Sequence, residues 1–165
     1  MFNHSWVPLT TQAGQRCLMW DYDQSDNHSV IYRFVWTKTP SDDPLCFYVG
    51  SGLNLSSNGG QSKSLVYQYK NGQRKQIYRL PMQQELQRVG GTAWTETLVV
   101  NDVALHAALQ SEAKMGEKTF LLVFEDCLIY QAFDEYRAVF AVKGNSIPRF
   151  FNGKISNLFE LMKYL

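Results

Sequence analysis

Charge is scarce in this chain, and what there is nearly cancels. Only 19% of the 165 residues are charged, 16 basic residues stand against 15 acidic ones, and the formal net charge is +1. That balance excludes a uniformly basic nucleic-acid binder and a disordered acidic segment. Cysteine is limited to Cys17, Cys46 and Cys127, each inside an apolar run. An odd number without paired spacing argues against a disulfide framework or a cysteine zinc site, so buried thiols are expected. The three histidines, His4, His28 and His106, show no i, i+4 pair that would suit a metal. No apolar run approaches the ~18 residues of a membrane span. Residues 1–12 lack the charged flank and apolar core of a secretory leader, and a cytoplasmic location is expected.

What is plentiful is bulk. Hydrophobic residues make up 45% and aromatic residues 14% of the chain. One domain over 1–165 is expected, since domains run roughly 100–200 residues, with enough apolar material for a core of its own. Runs of β-branched and aromatic residues over 30–36 (VIYRFVW), 45–49 (LCFYV) and 94–100 (WTETLVV) read as strands, and 17–22 (CLMWDY) as a short one. The loop TKTPSDDP between the first two allows a hairpin. Residues 50–61, rich in glycine and serine, read as irregular. A short helix is expected from Ser64 to Tyr69, and a second opened by Pro81 and ended by Gly90-Gly91. Asp102 has the chemistry of an N-cap for a helix over 103–115. On it Leu105, Ala108, Leu109 and Glu112 fall on one face, so Glu112 is expected to look inward. Further strands are expected over 119–124 and 136–142, followed by a closing helix. Short connections between strands favour antiparallel pairing and an α+β class, a small, mainly antiparallel sheet flanked by helices.

The charge is also unevenly placed. Between Lys63 and Arg88 lie six basic residues (Lys63, Lys70, Arg74, Lys75, Arg79 and Arg88) and one acidic residue, Glu85. Such a segment reads as a phosphate footprint or as a solvated face. Upstream of it, Val30-Ile31-Tyr32, a loop, and then Tyr48-Val49-Gly50 resemble the GIY-YIG nuclease signature. Gly50-Ser51-Gly52-Leu53-Asn54-Leu55 is similar to the stretch that follows the second half of that motif. The strand WTETLVV and the helix bearing Glu112 resemble the family's third strand and its metal-binding glutamate helix. The likeness covers about 28–116, and 117–165 lie beyond it. Val30 stands in place of the first glycine, and fifteen residues separate Tyr32 from Tyr48. Where an arginine is expected after the asparagine–leucine pair the chain has Ser56, Ser57 and Asn58. Some restriction-enzyme members carry that arginine further along on a helix, which makes Arg74 the candidate and Arg79 the second.

The resemblance implies a metal-dependent endonuclease, restriction-like in character, that hydrolyses phosphodiester bonds in double-stranded DNA. It implies Tyr32, Tyr48, Arg74 and Glu112 as catalytic residues, with Glu112 holding one divalent cation, Mg2+ or Mn2+. Arginine offers planar donors that match a phosphate. Tyr32 or Tyr48 would hold the attacking water and act as base once a nearby cation had lowered its pKa. Gly50, Ser51, Lys63, Lys70, Lys75 and Arg79 are the candidates for DNA contact, and a homodimer would match a symmetric site. Two other readings stand beside it. One is a nucleic-acid-binding module on the same fold without catalysis. The other is an aromatic-rich protein–protein domain, such as an inhibitor or immunity protein.

Overall fold

The computed structural model describes residues 4–57 and 64–100. Within them the fold is α+β, a four-stranded antiparallel sheet with helices. The strands are β1 (His4–Pro8), β2 (Val30–Thr37), β3 (Leu45–Gly52) and β4 (Thr92–Val100), in the order β1-β4-β2-β3. Strand β2 is central, paired on both sides, and every one of its residues except Arg33 is buried. A run of β-branched and aromatic side chains suits a strand covered on both faces. The β2–β3 hairpin turns through TKTPSDDP, where the Thr39 N–H donates to Asp42 Oδ2 at 2.8 Å and the Asp42 N–H donates to the Thr39 carbonyl at 3.2 Å. Short polar side chains that bond to nearby backbone are what make such a turn.

A β-bulge shapes the core. Phe34 lies opposite Tyr48 but Val35 lies opposite Cys46, so Phe47 is the extra residue. The bulge breaks the alternation and brings both Phe47 and Tyr48 onto the Phe34 ring, stacked at 5.9 and 5.4 Å between centroids. Elsewhere alternation holds. Val30, Tyr32, Phe34 and Trp36 share one face with Gly52, Gly50, Tyr48 and Leu45. Ile31, Arg33 and Val35 share the other with Glu96 and Trp94. The buried apolar side chains of the helices join the cluster of the first face.

Two expectations are corrected. Residues 17–22 do not form a strand. Met19–Asp21 is a 3-10 turn closed by the Asp21 N–H on the Leu18 carbonyl at 2.9 Å. Met19 and Trp20 are consecutive and both buried, which a strand with one solvent face does not permit. Gly50 to Gly52, expected to be irregular, finish β3. Strand β1 was not anticipated. It is short, half polar and ends at Pro8, as befits an edge strand.

Helix α1 (Leu65–Lys70) begins where Ser64 Oγ accepts the Tyr67 N–H at 3.2 Å. The second helix starts earlier than Pro81. A π-helical turn over Lys75–Arg79 runs into α2 (Leu80–Val89), with the Leu80 N–H reaching back five residues to the Lys75 carbonyl. Pro81 brings no N–H to the helix, and the wide turn just before it is where the helix absorbs that loss. Gly90, with φ of 72°, ends α2 in the backbone region that favours glycine. The elements expected beyond Val100, Glu112 among them, lie outside the described residues.

Candidate functional site

The two halves of the tyrosine motif meet on the helix-covered face. Gly50 lies directly opposite Tyr32 in the β2–β3 ladder. A Cβ at Gly50 would fall 2.7 Å from the Tyr32 hydroxyl and 2.8 Å from Tyr48 Cε1, so only glycine lets the strand pass this close to both rings. The two rings stand 5.9 Å apart. Tyr69 of α1 meets the Tyr32 ring edge-on, its hydroxyl 2.9 Å from that of Tyr32, and both residues are 0% exposed. Tyr78 of the π turn packs its edge on Tyr48 at 5.5 Å.

Arg74 stands at the start of the π turn and closes the cluster. Its Nη1 donates to the Tyr32 hydroxyl at 2.8 Å, and its guanidinium lies 5.8 Å from both the Tyr69 and Tyr78 ring centres. Among the described residues no carboxylate forms an ion pair with Arg74. The Tyr32 oxygen foremost holds the guanidinium proton more firmly than usual, which outweighs the opposing effect of burial. Burial pushes the Tyr32 phenol well above the ordinary tyrosine value, and Arg74 pulls it down by less. Tyr69 is raised for the same first reason. In a site this dry, desolvation of the phenolate exceeds what one guanidinium returns.

The structure brings together Tyr32, Tyr48, Gly50 and Arg74, with Lys75 next along the turn. Ser51 lies opposite Ile31 on the far face of the sheet. Lys70 donates to the Tyr22 carbonyl at 3.1 Å and ties the 3-10 turn to α1. Arg79 lies over the Trp20 ring at 5.6 Å, with Nε on Gln83 Oε1 at 3.2 Å. Arg88 pairs with the buried Glu85 at 2.5 Å. Lys75 sits beside Arg74 on the π turn. Lys63 and Glu112 lie outside the described residues. Cys17 and Cys46 are buried, as expected, and burial raises the Cys17 thiol to about 11. His28 is exposed and pairs with Asp26.

Sequence reasoning missed Tyr69 and Tyr78. Their signal was helical spacing. Leu65, Val66 and Tyr69 mark the inner face of α1, and Tyr78, Met82 and Glu85 that of the next helix. Among the described residues no group of three His, Cys, Asp or Glu side chains is placed to hold a metal ion, so these residues by themselves do not make a metal site. No helix among them is long and apolar enough to cross a membrane. No family model, no curated protein and no solved structure matches the chain.

Proposed function

We propose that this chain is a nuclease that binds double-stranded DNA and hydrolyses its phosphodiester bonds, in the manner of the GIY-YIG enzymes its motif resembles. One observation carries the reading. The arginine missing after the asparagine–leucine pair has a counterpart in Arg74, whose guanidinium reaches the Tyr32 hydroxyl at 2.8 Å from a helix. With no carboxylate partner among the described residues, the guanidinium retains donors for an anion, and its planar fork matches a phosphate. Tyr32 and Tyr48 back it with hydroxyl groups and apolar rings, and Lys75 adds a second positive charge on the same turn. Mg2+ or Mn2+ belongs to the same reading, with Glu112 as its carboxylate, and would neutralise charge on the phosphate. A cytoplasmic location and a homodimer on symmetric DNA go with it.

The test is incubation of the purified protein with long double-stranded DNA at low salt, with Mg2+ or Mn2+ and with EDTA as control. Wild type is expected to give metal-dependent fragments, and Arg74→Ala and Glu112→Ala none. Cleavage retained in either variant would remove that residue from the site. A second reading, a DNA-binding module without catalysis, is favoured by the complete burial of Tyr32. It predicts salt-sensitive binding and no product from any DNA.

A further inference from the structure

Tyr32 is the motif residue expected to touch water or substrate, yet its surroundings suit a different task. A phenol oxygen offers about three hydrogen-bonding positions, one donated and two accepted. Arg74 Nη1 occupies one at 2.8 Å and the Tyr69 hydroxyl a second at 2.9 Å. A hydrogen bond with Tyr48 adds a third. The side chain is 0% exposed, so nothing of it is left to meet a ligand. Arg74 has five N–H donors; one goes to Tyr32 and another bonds Tyr69, which leaves the rest to present. The faces of Tyr69 and Tyr78, each 5.8 Å away, hold the guanidinium between them. The tyrosines form a frame, and the arginine is the group the frame presents.

We infer that Tyr69 is a positioning residue: its hydroxyl fixes Tyr32, and the Tyr32–Tyr69 pair together sets the direction in which Arg74 offers its remaining donors to a DNA phosphate. The inference rests on the function proposed above. Tyr69 lies five residues before Arg74, on a separate helix, and touches no expected substrate position. It acts through Tyr32 and through its own hydrogen bond and ring contact with the guanidinium.

The experiment follows the Arg74 Nε–H in 15N-labelled protein, assigned by its loss in Arg74→Lys, alongside affinity for a short DNA duplex. In wild type the Nε–H signal is expected to be sharp and slow to exchange with water. In Tyr69→Phe, which keeps the ring, the signal broadens into exchange and DNA affinity falls about tenfold, the effect of one lost hydrogen bond in a network that carries a charge. Tyr32→Phe removes the shared bond and the Arg74–Tyr32 bond as well, so its loss is at least as large. The double variant falls by less than the product of the two single losses, because both singles remove the shared Tyr32–Tyr69 bond. An unchanged Arg74 signal and affinity in Tyr69→Phe would overturn the inference, as would losses that multiply in the double variant. If Tyr69→Phe does not fold, the pair is a structural bond and the inference fails. A wild type that does not bind DNA overturns the proposed function, while the Arg74 signal in Tyr69→Phe still decides the role of Tyr69.

Discussion

The sheet has an arginine on each side, and the two are treated differently. Arg33, on the face away from the helices, meets Glu96 with Nε 2.6 Å from Oε2. The second carboxylate oxygen takes the Trp94 Nε1–H at 3.0 Å, and the guanidinium lies 4.5 Å from the Trp6 ring centre. Its charge is neutralised inside the protein. Arg74, on the helix side, has tyrosine hydroxyls and ring faces around it and no carboxylate partner among the described residues. Arg33 holds strands together, and Arg74 is held by them. A half-buried cation that the described residues do not neutralise costs desolvation that an anion could offset.

The comparison can be broken or sharpened by substitution. The largest effect is expected from Phe34→Ala, which removes the ring that Trp20, Tyr32, Phe47, Tyr48 and Tyr69 all pack against. A loss of about 4 kcal/mol in urea unfolding is expected for an aromatic cavity of this kind. Glu96→Ala leaves Arg33 without its carboxylate in a position only 20% exposed, and about 3 kcal/mol should be lost. Gly50→Ala should cost about 2 kcal/mol by overpacking and should also displace Arg74, because the new methyl meets the Tyr32 hydroxyl at 2.7 Å. Arg74→Met should change stability by less than about 1 kcal/mol in either direction, since the desolvation it relieves offsets the contacts it loses. A loss at Arg74 as large as that at Glu96 would erase the distinction between the two faces.

Alkaline pH gives a further test of the tyrosine side. Cys17 is raised from 9.0 to about 11, and Tyr32 and Tyr69 well above 10.0, in each case first by burial. The folded state keeps protons that the unfolded state releases. Their contribution to stability is therefore intact below pH 9.0 and falls as the pH rises through the native values. Tyrosinate absorbance near 295 nm should show Tyr32 and Tyr69 ionising only together with unfolding. Early ionisation of either would mean the cluster is open to water.

Much of this was legible in the sequence, for reasons particular to each segment. Strands β2, β3 and β4 declared themselves because VIYRFVW, LCFYV and WTETLVV are β-rich and bounded by turn residues. Ser64 marked a helix start by its side-chain hydroxyl and Gly90 a helix end by its backbone freedom. Arg74 was singled out because an arginine was missing upstream. Three things were hidden. The sequence of residues 17–22 supports a strand as well as a turn, and only the joint burial of Met19 and Trp20 against Phe34 and Tyr69 decides. The bulge at Phe47 leaves no local mark in the sequence, yet it brings both Phe47 and Tyr48 onto the Phe34 ring. Tyr69 read as an ordinary helix residue, because its partner hydroxyl is 37 residues away in sequence.

The central claim is that Arg74, which has no carboxylate partner among the described residues, takes a phosphate. Its most direct test is the affinity of wild type and Arg74→Ala for a short DNA duplex, measured across a series of salt concentrations. The account predicts at least about a tenfold weaker complex for Arg74→Ala and a log–log salt slope smaller by about one, the share of a single phosphate contact. Equal affinity and equal slope in the two proteins would contradict it.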